Sequence, residues 1–229
     1  LTMDSTSNVR GSSFITATVS GSGNTLVTAP DCANAKIATF TGPGTFTVSS
    51  VAPSAADNLV SYMVVAGGAS AGNCLAGGGG AGGFREVKSP VTPYTASPLD
   101  GYPSAPNRVT VSAQAYPIVI GAGGASPPTS PAQGNPGGPS VNQGSGTRSG
   151  SGGGGATAVG VNGTGPQIGG AGGTGATTNI SSSPVGYSGG GGGGVQSTSG
   201  NAGGASPCGS GGAAAAAAPG SAGTTNKGG

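Results

Sequence analysis

The sequence contains very few charged residues and no histidine at all. Charged residues make up 5% of the 229 residues, and the formal net charge is +2. A protein that binds nucleic acid or an anionic membrane through charge carries a dense basic patch, and this chain lacks the residues for one. Without histidine, the base of a Ser-His-Asp triad and the commonest metal ligand are both missing. We therefore expect no nucleic-acid partner, no catalytic activity, no cofactor and no metal.

Three patterns that elsewhere mark enzymes lack their context here. A nucleophile elbow needs a histidine, so the GxSxG matches at 68–72 and 186–190 are attributed to chance. Gly77, Gly79 and Gly82 satisfy GxGxxG, but no helical pattern follows them. A glycosidase needs two carboxylates that converge, and the chain has only five scattered acids: Asp4, Asp31, Asp57, Glu86 and Asp100. Glu86 beside Arg85 is interpreted as a solvated residue or a local ion pair.

Long apolar runs and large aliphatic residues are also scarce. No run of 18 apolar residues occurs, so we expect no insertion into a membrane. Between Ala122 and Gly229 there are seven Val or Ile residues and no Leu, Phe or Met. The 53 glycines and 18 prolines together make up 71 of the 229 residues. The second half of the chain therefore cannot build a conventional hydrophobic core.

The three cysteines form no recognisable pattern. Cys32, Cys74 and Cys208 are an odd number, widely spaced, with no CxxC motif. Neither a disulfide framework nor a zinc site follows from them. One disulfide with one free thiol remains open, and so does the absence of any disulfide.

Residues 1–65 have the pattern of a β-rich portion. Apolar residues alternate with threonine around Val19 and Val48, and two short apolar runs follow at 37–41 and 59–65. Turn residues such as Gly42-Pro43-Gly44 separate these runs. We expect a small antiparallel sheet or sandwich.

Residues 66–229 are predicted to form a glycine-rich domain. A Pro-rich stretch without periodicity, Lys88 to Arg108, is predicted to be a long loop. The runs Val109-Thr110-Val111 and Ile118-Val119-Ile120 predict a hairpin. The fold class predicted for the whole chain is mostly β plus irregular, with a small antiparallel β portion followed by packed polyglycine II-type helices.

The prediction of polyglycine helices comes from backbone chemistry. An extended left-handed three-fold helix has no internal hydrogen bonds, so all its N–H and C=O groups need outside partners. Neighbours without side chains can approach closely enough to supply them, and their Cα–H groups can add weak contacts. The alternatives are that the tracts are flexible linkers, and that the alanine run 213–218 is a short helix. The residues predicted to form this scaffold are Gly77, Gly78, Gly79, Gly80, Gly152, Gly153, Gly154, Gly155, Gly189, Gly190, Gly191, Gly192, Gly193 and Gly194.

Two stretches and their order carry a family likeness. The glycine tract that runs into FREV at 77–87 is followed by YPIVIGAGG at 116–124, and then by further glycine tracts. This arrangement resembles the glycine-rich domain of bacteriophage tail-fibre and virion proteins. More loosely, it resembles the polyglycine-helix adhesins of long tail fibres in T-even-like phages. The resemblance covers about residues 38–204, and it implies polyglycine helices whose connecting loops contact the host surface.

The resemblance implies a non-enzymatic tail-fibre or receptor-binding protein on the virion surface, outside the cell. Its expected partners are copies of itself or other virion subunits, together with a host-surface glycan or outer-membrane protein. The alternative is a purely structural subunit of an extracellular filament or capsid-surface fibre, assembled through glycine-rich faces. Aromatic side chains on loops suit recognition, although these tyrosines could instead pack over the glycine segments. The candidate surface-binding residues are Tyr94, Asp100, Tyr102, Arg108 and Tyr187.

Overall fold

The regular structure of the chain consists almost entirely of β-strands in small antiparallel sheets. A computed structural model describes residues 14–30, 32–69, 77–120, 134–142, 148–165, 167–196, 199–208, 211–218 and 221–229. In these ranges the helical content is two short 3₁₀ helices, Ala55–Asn58 and Ala105–Asn107. The strands are β1 (Thr16–Ser20), β2 (Thr25–Ala29), β3 (Cys32–Thr39), β4 (Gly44–Ser50), β5 (Leu59–Val60), β6 (Tyr62–Val65), β7 (Phe84–Val87), β8 (Val109–Thr110), β9 (Ala115–Ile118), β10 (Val141–Asn142), β11 (Arg148–Ser149), β12 (Ala176–Thr178) and β13 (Val185–Tyr187).

The chain divides into two compact units, each built from several parts of the sequence. The first unit comprises the described residues of Leu1–Tyr62, Val87–Thr95 and Asp100–Gly121. The second comprises those of Met63–Glu86, Ala96–Leu99 and Ala122–Gly229. The sequence predicts a single boundary at residue 65. The loop and strands between 87 and 121, which lie after that boundary, instead belong mostly to the first unit.

The first unit contains a three-stranded antiparallel sheet in the order β1-β4-β9. Val19 on β1 lies opposite Phe46 on β4, which in turn lies opposite Tyr116 on β9. The rings of Phe46 and Tyr116 are 6.4 Å apart. Strands β2 and β3 form a separate antiparallel pair in which Val27 faces Ile37. The strands predicted from alternation in this part of the chain are therefore confirmed.

The predicted hairpin between residues 109 and 120 is wrong. Strand β8 pairs with β5, whereas β9 pairs with β4. The physical reason is that Val111 is 6% exposed and donates its N–H to the carbonyl oxygen of Asn58, which commits β8 to the β5 side. The chain then turns through a short exposed loop. That loop is closed at the Tyr116 hydroxyl, which is hydrogen-bonded to the Ser112 hydroxyl at 3.1 Å and accepts the Ser112 N–H at 2.7 Å. The hydroxyl contact first, and the N–H contact second, lower the pKa of the Tyr116 phenol.

One buried asparagine organises the middle of the first unit. The Asn58 side chain accepts a hydrogen bond from Ala52 N at 2.8 Å and donates one to Ala52 O at 2.9 Å. Both backbone groups of a buried residue are thereby satisfied by one side chain, as burial requires. The buried apolar residues of this unit are Val48, Ala52, Val87 and Val111.

In the part of the second unit that the structure describes, the hydrophobic core is small. Strands β12 and β13 pair with Ala176 opposite Tyr187, while β10 pairs with β11 and β6 pairs with β7. The core consists of four buried residues with three partly buried ones packed against them: Phe84, Ala156, Ala176, Tyr187, Met63, Val65 and Val185. Apolar contact therefore accounts for only a small part of the cohesion among the described residues of this unit.

The alanine run 213–218 is not a helix. Ala214 donates its N–H to the carbonyl oxygen of Gly203 at 3.0 Å, and Ala216 forms a parallel bridge with Val195. Its backbone groups bond to neighbouring glycine-rich segments instead of to each other.

In the described part of the chain, no helix is long and apolar enough to cross a membrane.

Candidate functional site

Four of the five predicted surface-binding residues meet in the first unit, in the loop between Lys88 and Arg108. Asp100 is central to this loop. Its Oδ1 atom accepts hydrogen bonds from the backbone N–H of Lys88 at 2.9 Å and from that of Tyr102 at 3.0 Å. A single carboxylate oxygen therefore holds the start of the loop, at Lys88, next to Tyr102.

Each end of the loop carries a cation on a tyrosine ring. The Arg108 guanidinium lies 4.2 Å from the centroid of the Tyr102 ring, and its Nε donates to the Tyr102 carbonyl oxygen at 3.0 Å. At the other end, the Lys88 ammonium lies 5.8 Å from the centroid of the Tyr94 ring. Such contacts stabilise by about 0.5–1 kcal/mol at exposed sites. We name Lys88, Tyr94, Asp100, Tyr102 and Arg108 the loop cluster.

Lys88 was missed as a site residue by sequence reasoning. Its spacing contained a usable signal, because Lys88 precedes Tyr94 by six residues and Arg108 follows Tyr102 by six. The pairing depends on the turn at Asp100, which no local pattern predicts.

Further hydrogen bonds hold the second half of the loop. The Tyr62 hydroxyl donates to the carbonyl oxygen of Asn107 at 2.8 Å, and the Asn107 side chain donates to that of Gly101 at 3.0 Å. Arg108 itself is exposed, while Tyr94, Asp100 and Tyr102 are half-buried. The loop is thus anchored from its inner side and leaves a cation at its surface.

Tyr187, the fifth predicted binding residue, is a core residue instead. It is 7% exposed, and its ring lies 6.4 Å from that of Phe84. The Lys227 ammonium lies 4.5 Å from the centroid of the Tyr187 ring. A binding role for this side chain does not fit such burial. The alternative, that it packs within the glycine-rich unit, describes its position.

The predicted scaffold glycines are organised around residues 150–156, which we name the central segment. Its carbonyl oxygens accept hydrogen bonds from three neighbouring segments in turn, so that every third carbonyl bonds to the same segment. Residues 150 and 153 accept from the 169–175 segment, residues 151 and 154 from 77–82, and residues 152 and 155 from 134–138. The donor–acceptor pairs are Gly170–Gly150 2.9 Å, Gly173–Gly153 2.9 Å, Gly78–Ser151 2.7 Å, Ala81–Gly154 2.8 Å, Gly138–Gly152 2.9 Å and Asn135–Gly155 3.0 Å.

The N–H groups of the central segment follow the same interval. Those of residues 150, 153 and 156 donate to the 188–194 segment, and those of 152 and 155 donate to 158–161. The central segment thus contacts five others. The 188–194 segment repeats this arrangement, because Gly190 and Gly193 donate to Gly173 and Gly170, at 2.9 and 2.8 Å. We call the set of these segments the glycine array.

Backbone atoms occupy the space that side chains would need in the glycine array. A Cβ added at Gly153 would lie less than 3.0 Å from the carbonyl oxygen of Gly79, and one at Gly78 would meet that of Gly191. The same holds, against other carbonyl oxygens, at Gly152, Gly154, Gly155, Gly190, Gly192 and Gly193. At Gly80, by contrast, no atom lies within 4 Å of the added Cβ. The array therefore requires glycine at particular positions within each tract.

No protein-family model, curated protein or solved structure matches this chain. Its function must be argued from the loop cluster, the glycine array and the chemistry of their residues.

The described residues offer little conventional active-site chemistry. Among them, no three His, Cys, Asp or Glu residues come together as a possible metal site. Ser188, in the second GxSxG match, is completely buried, and Ser70, in the first, lies outside the described residues. Among the described residues, neither Cys32 nor Cys208 forms a disulfide, and the Cys208 sulfur accepts the N–H of Gly175 at 3.2 Å. Cys74 also lies outside the described residues.

Glu86 is the largest correction to the predicted chemistry. It is fully buried in the second unit, so the interpretation as a solvated residue is wrong. Its Oε2 accepts a hydrogen bond from the backbone N–H of Ser97 at 2.8 Å, and its Oε1 accepts one from the Thr178 hydroxyl. The carboxyl group joins segment 96–99 to strand β12. Nothing in the local sequence distinguishes this glutamate from an exposed one on a strand.

Replacing Glu86 by alanine is expected to lower the free energy of unfolding of the second unit by about 2–4 kcal/mol. The substitution leaves the Ser97 N–H and the Thr178 hydroxyl buried without their acceptor, at about 1–3 kcal/mol each. Glu86→Gln retains one acceptor oxygen and is expected to cost less. The measurement is urea unfolding, together with amide hydrogen exchange at Ser97. An alanine variant as stable as the parent, with unchanged exchange at Ser97, would contradict the assignment.

Proposed function

We propose that the segments of the glycine array are polyglycine II-type helices packed side by side. The interval of three residues between equivalent hydrogen bonds equals the three residues per turn of this helix. Among the described glycines, only Gly21, Gly23 and Gly228 have positive φ, so those of the array are compatible with the left-handed extended form. Hydrogen bonds between segments of the same chain then replace apolar packing as the source of cohesion.

We further propose that the protein is a non-enzymatic bacteriophage tail-fibre or receptor-binding component. The observation that carries this proposal is the combination, in one chain, of a side-chain-free array and an anchored aromatic loop. An array whose central segment bonds to five neighbours is rigid. The loop cluster offers tyrosines and cations already held in place, which reduces the entropy lost when a receptor binds. The receptor class that fits is a host-surface glycan or an outer-membrane protein loop.

A second candidate, a structural subunit of a filament or capsid-surface fibre, is favoured by one observation. Val159, Val161 and Ile168 in the glycine-rich unit are 55%, 55% and 43% exposed. In a chain so poor in large apolar residues, their exposure favours burial against another copy. Analytical ultracentrifugation separates the candidates in part. Open-ended assembly that Val161→Ser abolishes would favour the structural filament subunit. A closed oligomer would favour the tail-fibre or receptor-binding component.

The helix proposal predicts through-bond NMR couplings with an interval of three residues. In uniformly labelled protein, we expect scalar couplings across hydrogen bonds from the N atoms of Gly150, Gly153 and Ala156 to the C′ atoms of Gly194, Gly191 and Ser188, respectively. Their absence, or couplings at intervals of two residues as in a β-ladder, would contradict the proposal.

The functional proposal is tested by locating the protein on virions. Antibodies raised against the purified chain, with immunogold electron microscopy of virions from the source culture, are expected to label the fibres of the tail. Label restricted to the capsid surface, or to filaments detached from virions, would favour the structural alternative. Virions without label would reject both virion assignments.

A further inference from the structure

We propose that the loop cluster binds a phosphate group carried by a saccharide. This inference rests on the proposed function, because it names the class of ligand that the receptor-binding loop would take. The observation behind it is that the two cations of the cluster have no carboxylate partner, although a carboxylate lies between their residues.

Asp100 contacts the backbone of the cluster and not its cations. Its Oδ1 accepts the N–H groups of Lys88 and Tyr102, at 2.9 and 3.0 Å. Across the described residues, no salt bridge engages either Lys88 or Arg108. Arg108 uses its Nε on the Tyr102 carbonyl oxygen, and the hydrogen bonds described for it leave both terminal amino groups available. A cation without a counter-charge at a protein surface suits an anionic ligand.

The tyrosines hold these cations in place. The Tyr102 ring lies beneath the Arg108 guanidinium at 4.2 Å, and the Tyr94 ring beneath the Lys88 ammonium at 5.8 Å. Because both side chains are restrained before any ligand arrives, less rotamer entropy is lost on binding. Asp100 links the backbones of the two pairs, since its Oδ1 accepts an N–H from one residue of each. The guanidinium recognises phosphate through paired N–H groups, and the ammonium acts as a compact point charge.

A saccharide phosphate suits this site better than an extended anionic surface. The cluster holds two cations, and the chain has only seven basic residues and a net charge of +2. Membrane surfaces and nucleic acids are recognised by larger groups of cations. A single phosphate on an otherwise neutral sugar matches two cations beside tyrosine rings.

The test compares binding to immobilised phosphorylated dextran and to unmodified dextran. We expect the protein to bind the phosphorylated form at least about tenfold more tightly. The double variant Lys88→Gln/Arg108→Gln is expected to lose this preference. Its matched control is Lys36→Gln/Arg148→Gln, which removes the same net charge at exposed positions outside the cluster and is expected to bind within about twofold of the parent.

A further pair of variants tests the role of the ring beneath Arg108. Tyr102→Phe retains the aromatic face and is expected to preserve binding, whereas Tyr102→Leu is expected to weaken it about threefold. Equal weakening by both variants would show that the phenol hydroxyl, and not the ring face, is what matters, and would overturn this part of the assignment.

Three outcomes would overturn the inference. They are equal affinity for the two dextrans, equal loss in the cluster variant and its control, or binding only to phosphatidylglycerol vesicles. Failure of the inference is distinct from failure of the proposed function. Antibody label on tail fibres without preference for phosphate would reject only the ligand assignment. Phosphate binding that depends on Lys88 and Arg108, without label on virions, would reject only the tail-fibre assignment.

Discussion

Replacing Gly153 by alanine is expected to unfold the glycine-rich unit or to lower its free energy of unfolding by about 3–5 kcal/mol. The added methyl group would lie against the backbone carbonyl of Gly79, which is not the end of a flexible side chain. Relief requires the 77–82 segment to move. Gly79 accepts the N–H of Gly191, and Gly191 accepts that of Gly153, both at 2.9 Å. Overpacking costs about 1–3 kcal/mol, and each buried group left without a partner costs a similar amount.

The matched control is Gly80→Ala. No atom lies within 4 Å of a Cβ at this position, and Gly80 does not have positive φ. Alanine there is expected to leave stability unchanged or to raise it by about 0.4–1 kcal/mol, because alanine restricts the unfolded chain. Urea unfolding, followed through amide exchange of the array glycines, measures both variants. Equal stability of Gly153→Ala and Gly80→Ala would show that the array does not depend on close backbone contact.

The sequence could not predict which glycines of a tract tolerate a side chain, as Gly80 does and Gly153 does not. The tracts were identified as scaffold because a helix without internal hydrogen bonds needs partners, and only side-chain-free neighbours come close enough. Which segments are neighbours was not predictable, because glycine has no side chain to specify one partner over another. Positions such as Gly80, where alanine fits, are identical in sequence to those where it does not.

Strand prediction succeeded where the signal was local and failed where it depended on long-range pairing. Alternation of apolar and polar residues identified strands β1 and β4. In β1 burial follows this alternation, because Ala17 and Val19 are half-buried between exposed residues. The partners of β8 and β9 depend on contacts with β5 and β4, which lie more than 45 residues away in the sequence. Proximity in the sequence suggested a hairpin, and long-range packing determined otherwise.

The loop cluster was partly predictable. Tyrosines in a Pro-rich segment without periodicity marked the loop as a candidate for recognition, and four of the predicted residues lie in the cluster. The pairing of each tyrosine with a cation, and the position of Asp100 between the pairs, depend on backbone turns that composition does not encode. The burial of Glu86 and Tyr187 was not predictable either, because burial depends on tertiary packing.

Replacing Tyr187 by alanine is expected to lower the free energy of unfolding of the glycine-rich unit by about 3–5 kcal/mol. The side chain is 7% exposed, contacts Phe84 and lies under Lys227, so truncation leaves a cavity in a core of only a few residues. Tyr187→Phe retains the ring and is expected to cost less than about 1 kcal/mol. Tyr102→Ala, in the loop cluster, is expected to cost about 1 kcal/mol at most, because that side chain is half-buried and its main contact is with Arg108.

These three tyrosine variants separate scaffold residues from binding residues by urea unfolding and by binding to phosphorylated dextran. Tyr187→Phe is expected to retain both stability and binding, and Tyr102→Ala to remain folded but to bind about threefold more weakly. If Tyr187→Ala were as stable as the parent, the small core would not be what holds β13 against the glycine array. The hydrogen bonds of Ser188, whose N–H donates to Lys227 and whose carbonyl oxygen accepts from Ala156, would then be sufficient. Cohesion of this unit would in that case be entirely a property of its backbone.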